Sequence, residues 1–214
     1  MEKYINKIIN ADCMDILKQL PDKCIDLVFT DPPYGIGIDG QKKCVCKNPK
    51  HNRKLHIKKD WDNNIPLKLV FDEIKRISKN MIIFGANYFN EYLEQGYKGW
   101  IIWDKGQRGL TMSDCEIIYS NFDYPTRIYT VNRANLIKDN TFHPTQKPLK
   151  LIQMILNDYS NENDLILDCF SGSGTTAVAC HNLKRRFICI EKDKEYYEKS
   201  IERLKQAQIK QRLF

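Results

Sequence analysis

The chain has 214 residues, 42% hydrophobic and 11% aromatic, and carries 34 lysines and arginines against 27 acids for a net charge of +7. That length fits one domain, or one domain with a modest insertion, and allows a substantial core; the apolar content excludes a disordered chain, and no apolar run is long enough to span a membrane. The opening MEKYINKIINADC has no apolar leader segment, and the eight scattered cysteines (13, 24, 44, 46, 115, 169, 180 and 189) read as free thiols, so a cytoplasmic protein is expected.

In chain order, the helical pattern ADCMDILKQL leads into the apolar, β-branched run IDLVFT (25–30), which ends abruptly at Asp31-Pro32-Pro33-Tyr34-Gly35. Residues 35–64 show no periodicity. The helical PLKLVFDEIKRISK follows, then the strand-like MIIFG (81–85) and WIIWD (100–104), a second non-periodic stretch at 105–114, and EIIYS (116–120) and RIYTV (127–131). The helical PLKLIQMILNDYS precedes LILDCF (165–170), the helical TTAVACHNLK, RFICI (186–190) and a charged final helix, DKEYYEKSIERLKQAQIKQR. Two of these helices open with proline, which the first turn tolerates. Apolar strands alternating with helices predict an α/β fold: a doubly wound, mostly parallel sheet covered on both faces, with the 116–131 pair as an antiparallel hairpin at one edge. The whole chain, 1–214, is expected to form a single domain with functional loops at about 36–62 and about 104–115.

Charge is unevenly spread. From Gln41 to Lys59 there are eight basic residues (Lys42, Lys43, Lys47, Lys50, Arg53, Lys54, Lys58, Lys59) and no acid, and without them the chain is close to neutral. Such a segment suits a polyanion such as nucleic acid; a solvated loop is the alternative. The same segment holds Cys44, Cys46, His51 and His56 within thirteen residues. Cys-x-Cys is not the common zinc-finger spacing and the lysines oppose a cation, so no metal is expected.

Two constellations carry chemistry. In LILDCFSGSGTTAVAC (165–180) a strand runs into a glycine turn and a helix, a pattern that brings backbone and free N–H groups close to a ligand. Gly172-x-Gly174-x-x-Ala177 fits a dinucleotide fingerprint as well as other nucleoside cofactors, and Glu191 after the next strand could bind ribose hydroxyls in either case. No Lys-Ser/Thr follows the glycines, so a P-loop is excluded, and Asp168 before them suits a cationic amino group better than a pyrophosphate. At Asp31-Pro32-Pro33-Tyr34 the prolines stiffen the corner. A fixed carboxylate, a backbone carbonyl and an aromatic face make a site for a planar heterocycle bearing an exocyclic amine; a plain proline turn with Tyr34 in the core is the alternative.

Together these motifs resemble the amino-group DNA methyltransferases that use S-adenosylmethionine. Asp31-Pro32-Pro33-Tyr34 looks like their catalytic motif, DCFSGSGTT like their cofactor loop, and His143-Pro144-Thr145-Gln146-Lys147-Pro148 like their HPTxKP segment. The catalytic motif precedes the cofactor loop, the circularly permuted β arrangement of a Rossmann-like methyltransferase sheet. The resemblance implies that Asp31, Pro32, Pro33 and Tyr34 serve catalysis. It implies that Asp168, Phe170, Ser171, Gly172, Ser173, Gly174, Thr175 and Thr176 line the methionine end of the cofactor. Thr145 and Lys147 would lie near the cofactor's carboxylate with His143 in the same segment, Glu191 on its ribose, and Asp12 and Cys13 at its adenine. It also implies DNA as partner and a cognate restriction endonuclease in the same system; the basic segment is positioned to contact the DNA phosphates, and Trp103, Lys105 and Arg108 could add recognition contacts, with Trp103 in the core as the alternative, and a monomer or homodimer is expected.

The expected reaction is methyl transfer to the N6 amine of an extruded adenine, since Asp before the prolines mostly marks adenine enzymes in this family. Cytosine N4 and RNA are the alternatives, and an NAD-dependent oxidoreductase or an inactive nucleic-acid-binding module are those of another class. The stretch between Asp31 and His143 is shorter than in many family members, which points to a short recognition site. Neutralising Lys42, Lys43, Lys58 and Lys59 together is expected to flatten the salt dependence of DNA binding, measured by titration at several ionic strengths, while leaving cofactor affinity intact.

Overall fold

The computed structural model describes residues 1–38, 59–96, 98–109, 113–132 and 141–212. Eight strands form one sheet: β1 (Lys7–Asn10), β2 (Ile25–Thr30), β3 (Ser78–Phe84), β4 (Ile101–Asp104), β5 (Cys115–Ser120), β6 (Arg127–Thr130), β7 (Leu165–Asp168) and β8 (Arg186–Glu191). Their order is β1-β8-β7-β2-β3-β5-β4-β6, and only the β3–β5 and β4–β5 pairs are antiparallel. The helices are α1 (Cys13–Leu17), α2 (Lys68–Ile77), α3 (Leu149–Tyr159), α4 (Thr175–Asn182) and α5 (Lys194–Arg212).

The sheet is covered on both faces, which is why its central strands read as continuous apolar runs. Alternate residues serve opposite layers. Leu27, Phe29, Ile82, Phe84 and Ile166 join α3, α4 and α5, whereas Val28, Met81, Ile83, Leu165 and Leu167 join α1 and α2. Helix α4 is buried from Thr175 through Cys180 because it is enclosed by α3, α5 and β8, and it accordingly lacks a polar face. Helix α5 is docked through Tyr196, Ser200 and Leu204, with Tyr197, Ile201 and Ala207 partly buried beside them, and its outer face is largely charged. The described cysteines are all free thiols.

Chain direction reverses at the centre of the sheet. Helix α2 carries the chain from β2 to β3 over one face, and α4 carries it from β7 to β8, on the other side of β2, over the opposite face. Neighbouring β2 and β7 therefore form a topological switch point, where loops part and leave a crevice beyond the strands' carboxyl ends. The register is Leu27 to Ile166 and Val28 to Leu167. At the opposite end Asp26 pins the same strands: its carboxylate accepts from the Leu165 amide at 2.8 Å and from Lys79 at 2.7 Å.

The fold class is the expected one, but the 116–131 hairpin does not form. β5 lies inside the sheet between β3 and β4, and β6 pairs with β4 in parallel at the edge. Residues 121–126, with Pro125, are too long for a tight turn and cross the chain just before β4. There a side chain at Gly99 would lie 2.4 Å from the Phe122 carbonyl oxygen, so the crossing needs glycine. Strand β1 was not apparent as an apolar run because only Ile8 of its four residues is buried.

Candidate active site

The crevice opens into a cavity of about 870 Å³. Residues from remote parts of the chain line it, among them Asp12 and Cys13 at the start of α1, Asp31 and Pro33 after β2, Lys59 and Trp61 ahead of α2, His143, Thr145 and Lys147 before α3, and Asp168–Ser173, Thr175 and Thr176 with Glu191 around β7, α4 and β8. Gly174 is not among the lining residues of that turn. It sits at φ +71° before α4, with Ser200 close enough that a Cβ would be 2.9 Å away. Helix α5 stabilises the turn from behind, where Arg203 donates to the Ser173 carbonyl at 3.1 Å and to the Thr175 hydroxyl at 2.8 Å.

Asp168 ends β7 fully committed to internal bonds. One oxygen accepts from the Thr30 hydroxyl at 2.8 Å and the Phe170 amide at 3.1 Å, the other from the Thr176 hydroxyl at 2.6 Å. Burial raises its pKa to about 6, with these three donors opposing the shift. Asp168 therefore joins β2, β7 and α4 at one point of the cavity wall. Glu191 accepts from the amides of Gly172 and Asp193, each at 2.7 Å, and burial raises it to about 7. Asp12 caps α1 by accepting from the Met14 amide at 3.0 Å and pairs with Lys192, while burial lifts the neighbouring Cys13 thiol to about 11. His143 packs its ring between Trp61 and Tyr196, with centroids at 5.2 and 4.3 Å, and its Nδ1 faces the Thr145 amide at 3.3 Å.

Other sequence-predicted residues have partners that the sequence does not show. Lys147 lines the cavity and reaches the acidic proline corner: its ammonium lies 2.5 Å from Asp31 Oδ2 and 3.4 Å from Glu116 Oε2. Tyr34 does not line the cavity; its hydroxyl donates to Asp31 Oδ1 at 2.6 Å, and its ring stacks on Tyr88 with centroids 4.7 Å apart. Lys105 was assigned to DNA contact but is buried and paired with Glu116 at 3.1 Å, which keeps it from a phosphate. Lys59 does line the cavity, yet Asp193 and Glu195 neutralise it at 2.8 and 2.7 Å, so it contributes less to phosphate binding than its position in the basic run suggested. Arg108 is exposed and paired with Asp104 at 2.8 Å. Lys42, Lys43, Lys47, Lys50, Arg53, Lys54 and Lys58, like Cys44, Cys46, His51 and His56, lie outside the described residues. The chain leaves the described region at Ile38 and returns at Lys59 beside the corner, where buried Asp62 accepts from the amides of Gly35 and Ile38 at 2.9 Å each.

Three contributors escaped the sequence reading. Thr30 looks like the last residue of a strand, Glu116 like the charged start of another, and Asp62 falls in a non-periodic loop; only the fold shows that Thr30 lines the cavity and that Glu116 and Asp62 hold the corner from outside it. Gly85 is another, since its φ of +69° and the Tyr34 ring beside it leave no space for a side chain: a Cβ would sit 2.2 Å from Tyr34 Cε1. Replacing Gly85 with alanine is expected to dislodge Tyr34 from Tyr88 and to cost about 1–3 kcal/mol in thermal unfolding, with a changed near-UV tyrosine signal.

A family model described as DNA methylase matches residues 102–202. The type II methyltransferase M.HpaI of Haemophilus parainfluenzae is 29% identical over 238 residues, covering 92% of this chain and 74% of that protein. M1.MboII of Moraxella bovis is 27% identical, covering 96% of this chain and 98% of its own. Among solved structures, the M1.HpyAVI–SAM complex superposes with a TM-score of 0.64 at 27% identity, over 92% of this chain and 99% of that one. Among the described residues no helix is long and apolar enough to cross a membrane. In motif order, fold and sequence the chain is similar to these DNA methyltransferases.

Proposed function

We propose that the protein transfers a methyl group from S-adenosylmethionine to the N6 amine of an extruded adenine in a short DNA site. The observation that carries this reading is that the acidic proline corner and the glycine turn, far apart in sequence, line one cavity. Its volume suits a nucleoside cofactor with room for a base. The donor set also fits: Glu191 presents a carboxylate fixed by two amides toward a diol, and Asp168 stands behind a turn whose glycines admit backbone contact. The SAM-bound state of the structurally similar M1.HpyAVI supports the same cofactor here.

When bound, that cofactor supplies an electrophilic sulfonium methyl; the chain's own residues supply position and charge. Asp31 and the Pro32 carbonyl accept the amine hydrogens, which aims the nitrogen lone pair and stabilises positive charge developing there. Asp31 must be ionised to do so. Burial raises its pKa, and Lys147 counters that rise across the ion pair. Tyr34 steadies the carboxylate through its hydroxyl, and a base can stack on its ring only after Tyr88 leaves that face. Thr145, Lys147 and His143 line the same cavity as Asp12 and Cys13. Extrusion costs a few kcal/mol, which phosphate contacts from the basic segment within 36–62 and from the 104–115 loop offset. The chain acts as a single catalytic domain, and the type II relatives support a cognate restriction endonuclease as its partner in the cell.

Mass spectrometry of digested DNA after incubation with the protein and S-adenosylmethionine is expected to yield N6-methyldeoxyadenosine. N4-methyldeoxycytidine alone would overturn the choice of base. Asp31→Ala is expected to bind S-adenosylhomocysteine with wild-type affinity in calorimetry and to transfer no detectable methyl; an active Asp31→Ala protein refutes the assignment of Asp31.

A further inference from the structure

At and behind the corner lies a chain of four charges, two of which, Glu116 and Lys105, the reaction as described does not use. Lys147 is held between two carboxylates, Asp31 at 2.5 Å and Glu116 at 3.4 Å, and Lys105 holds the far oxygen of Glu116 at 3.1 Å. The side chains are 9% exposed for each lysine, 18% for Glu116 and 23% for Asp31. Asp31 and Lys147 line the cavity, whereas Glu116 and Lys105 stand behind them and do not. Two cations and two anions make the group neutral, the arrangement in which partly buried charges are tolerated. The set is assembled from the residue after β2, the residue after β4, β5 and the segment before α3, so no local sequence rule places it.

Resting on the methyltransferase reading above, we propose that Glu116 and Lys105 are positioning residues that share the Lys147 ammonium between two carboxylates, leaving Asp31 held in place and able to accept the target amine. With Glu116 present, Lys147 is divided and Asp31 keeps acceptor capacity. Without Glu116, the ammonium closes on Asp31 alone and competes with the amine for it. Lys105 limits the field of Glu116 on Asp31, and the Trp103 ring beneath its ammonium, 5.4 Å from centroid to nitrogen, fixes its place.

The groups facing Asp31 are Tyr34 from its own corner, Lys147 from the 143–148 segment, Glu116 from β5 and Asp168 from β7. The two positioning residues then have opposite signatures. Glu116→Gln removes a like charge, so Asp31 ionises at lower pH; Lys105→Met exposes Asp31 to an uncompensated Glu116, so Asp31 ionises at higher pH. Each displacement is expected to be about one pH unit.

The test is carbon-13 NMR titration of the Asp31 carboxyl in the substrate-free full chain, assigned with Asp31→Asn, together with kcat–pH profiles on DNA. Opposite displacements of the Asp31 midpoint, matched by the acid limb of kcat, are the expected result. In Glu116→Gln kcat falls by roughly 10- to 100-fold with little change in KM for DNA. Midpoints that stay at the wild-type value, or move in the same direction, overturn the proposal. Should Glu116→Gln fail to fold, Lys105→Met decides alone, with Lys105→Arg expected to restore both midpoint and kcat; a wild-type midpoint in Lys105→Met refutes it. A wild-type protein that methylates no DNA defeats the functional reading instead, and the titrations still decide the ion chain.

Discussion

Strands β2 and β7 run parallel side by side, and the site exists because their carboxyl ends finish together. The ladder brings Thr30 to Asp168, with the hydroxyl donating at 2.8 Å, and the next residue after Thr30 is Asp31. The acidic proline corner and the glycine turn, far apart in sequence, are thus joined through the hydrogen bond between the residues that precede them. Crossovers leaving the pair in opposite directions open the crevice above them, and a parallel pair permits this because each strand needs its own covering helix. The permuted motif order costs nothing in this geometry, since the order in which β2 and β7 appear in the chain does not change which ends face the cavity.

Electrostatics completes what the ladder begins. Carboxylates at the site would resist ionisation through burial alone, and each is treated differently. Asp168 is satisfied by two hydroxyls and an amide, Glu191 by two amides, and Asp31 by a lysine and a tyrosine hydroxyl. Neutral donors leave Asp168 and Glu191 with pKa values near 6 and 7, close to the working range. Of these three, only Asp31 has a full cation against it. Lys147 is held ionised although burial opposes it, because Asp31 and Glu116 both favour the ammonium. Removing one member of such a set leaves a partner uncompensated, at a cost of about 3–5 kcal/mol where burial is complete and less here, where the cavity admits water.

What the sequence made legible was what is local. Alternation of apolar runs and helical periods gave the α/β class, and the corner and glycine turn stood out because proline and glycine restrict or free the backbone in ways few other residues can. The hairpin expectation failed because pairing between 116–120 and 127–131 was inferred from adjacency, while a glycine crossing at Gly99 sends the chain past β4 instead. Lys105 was read from its charge as a surface residue, but Glu116, which determines where it goes, lies on the neighbouring strand β5. Tyr34 was read as a free ring face, and the αL turn at Gly85 that places Tyr88 on it has no signature beyond a single glycine. Ion pairs between remote strands follow from register, and register is a property of the assembled sheet.

The central claim is that the corner after β2 and the turn after β7 act on one methyl group in one cavity. A crystal structure of the protein with S-adenosylhomocysteine and a short duplex containing the target site measures this directly. The account predicts an extruded adenine with its N6 within about 3 Å of an Asp31 oxygen and its ring facing the sulfur across the gap a methyl fills, about 3–3.5 Å before transfer. A base held away from Asp31, or a cofactor seated outside the glycine turn, contradicts it.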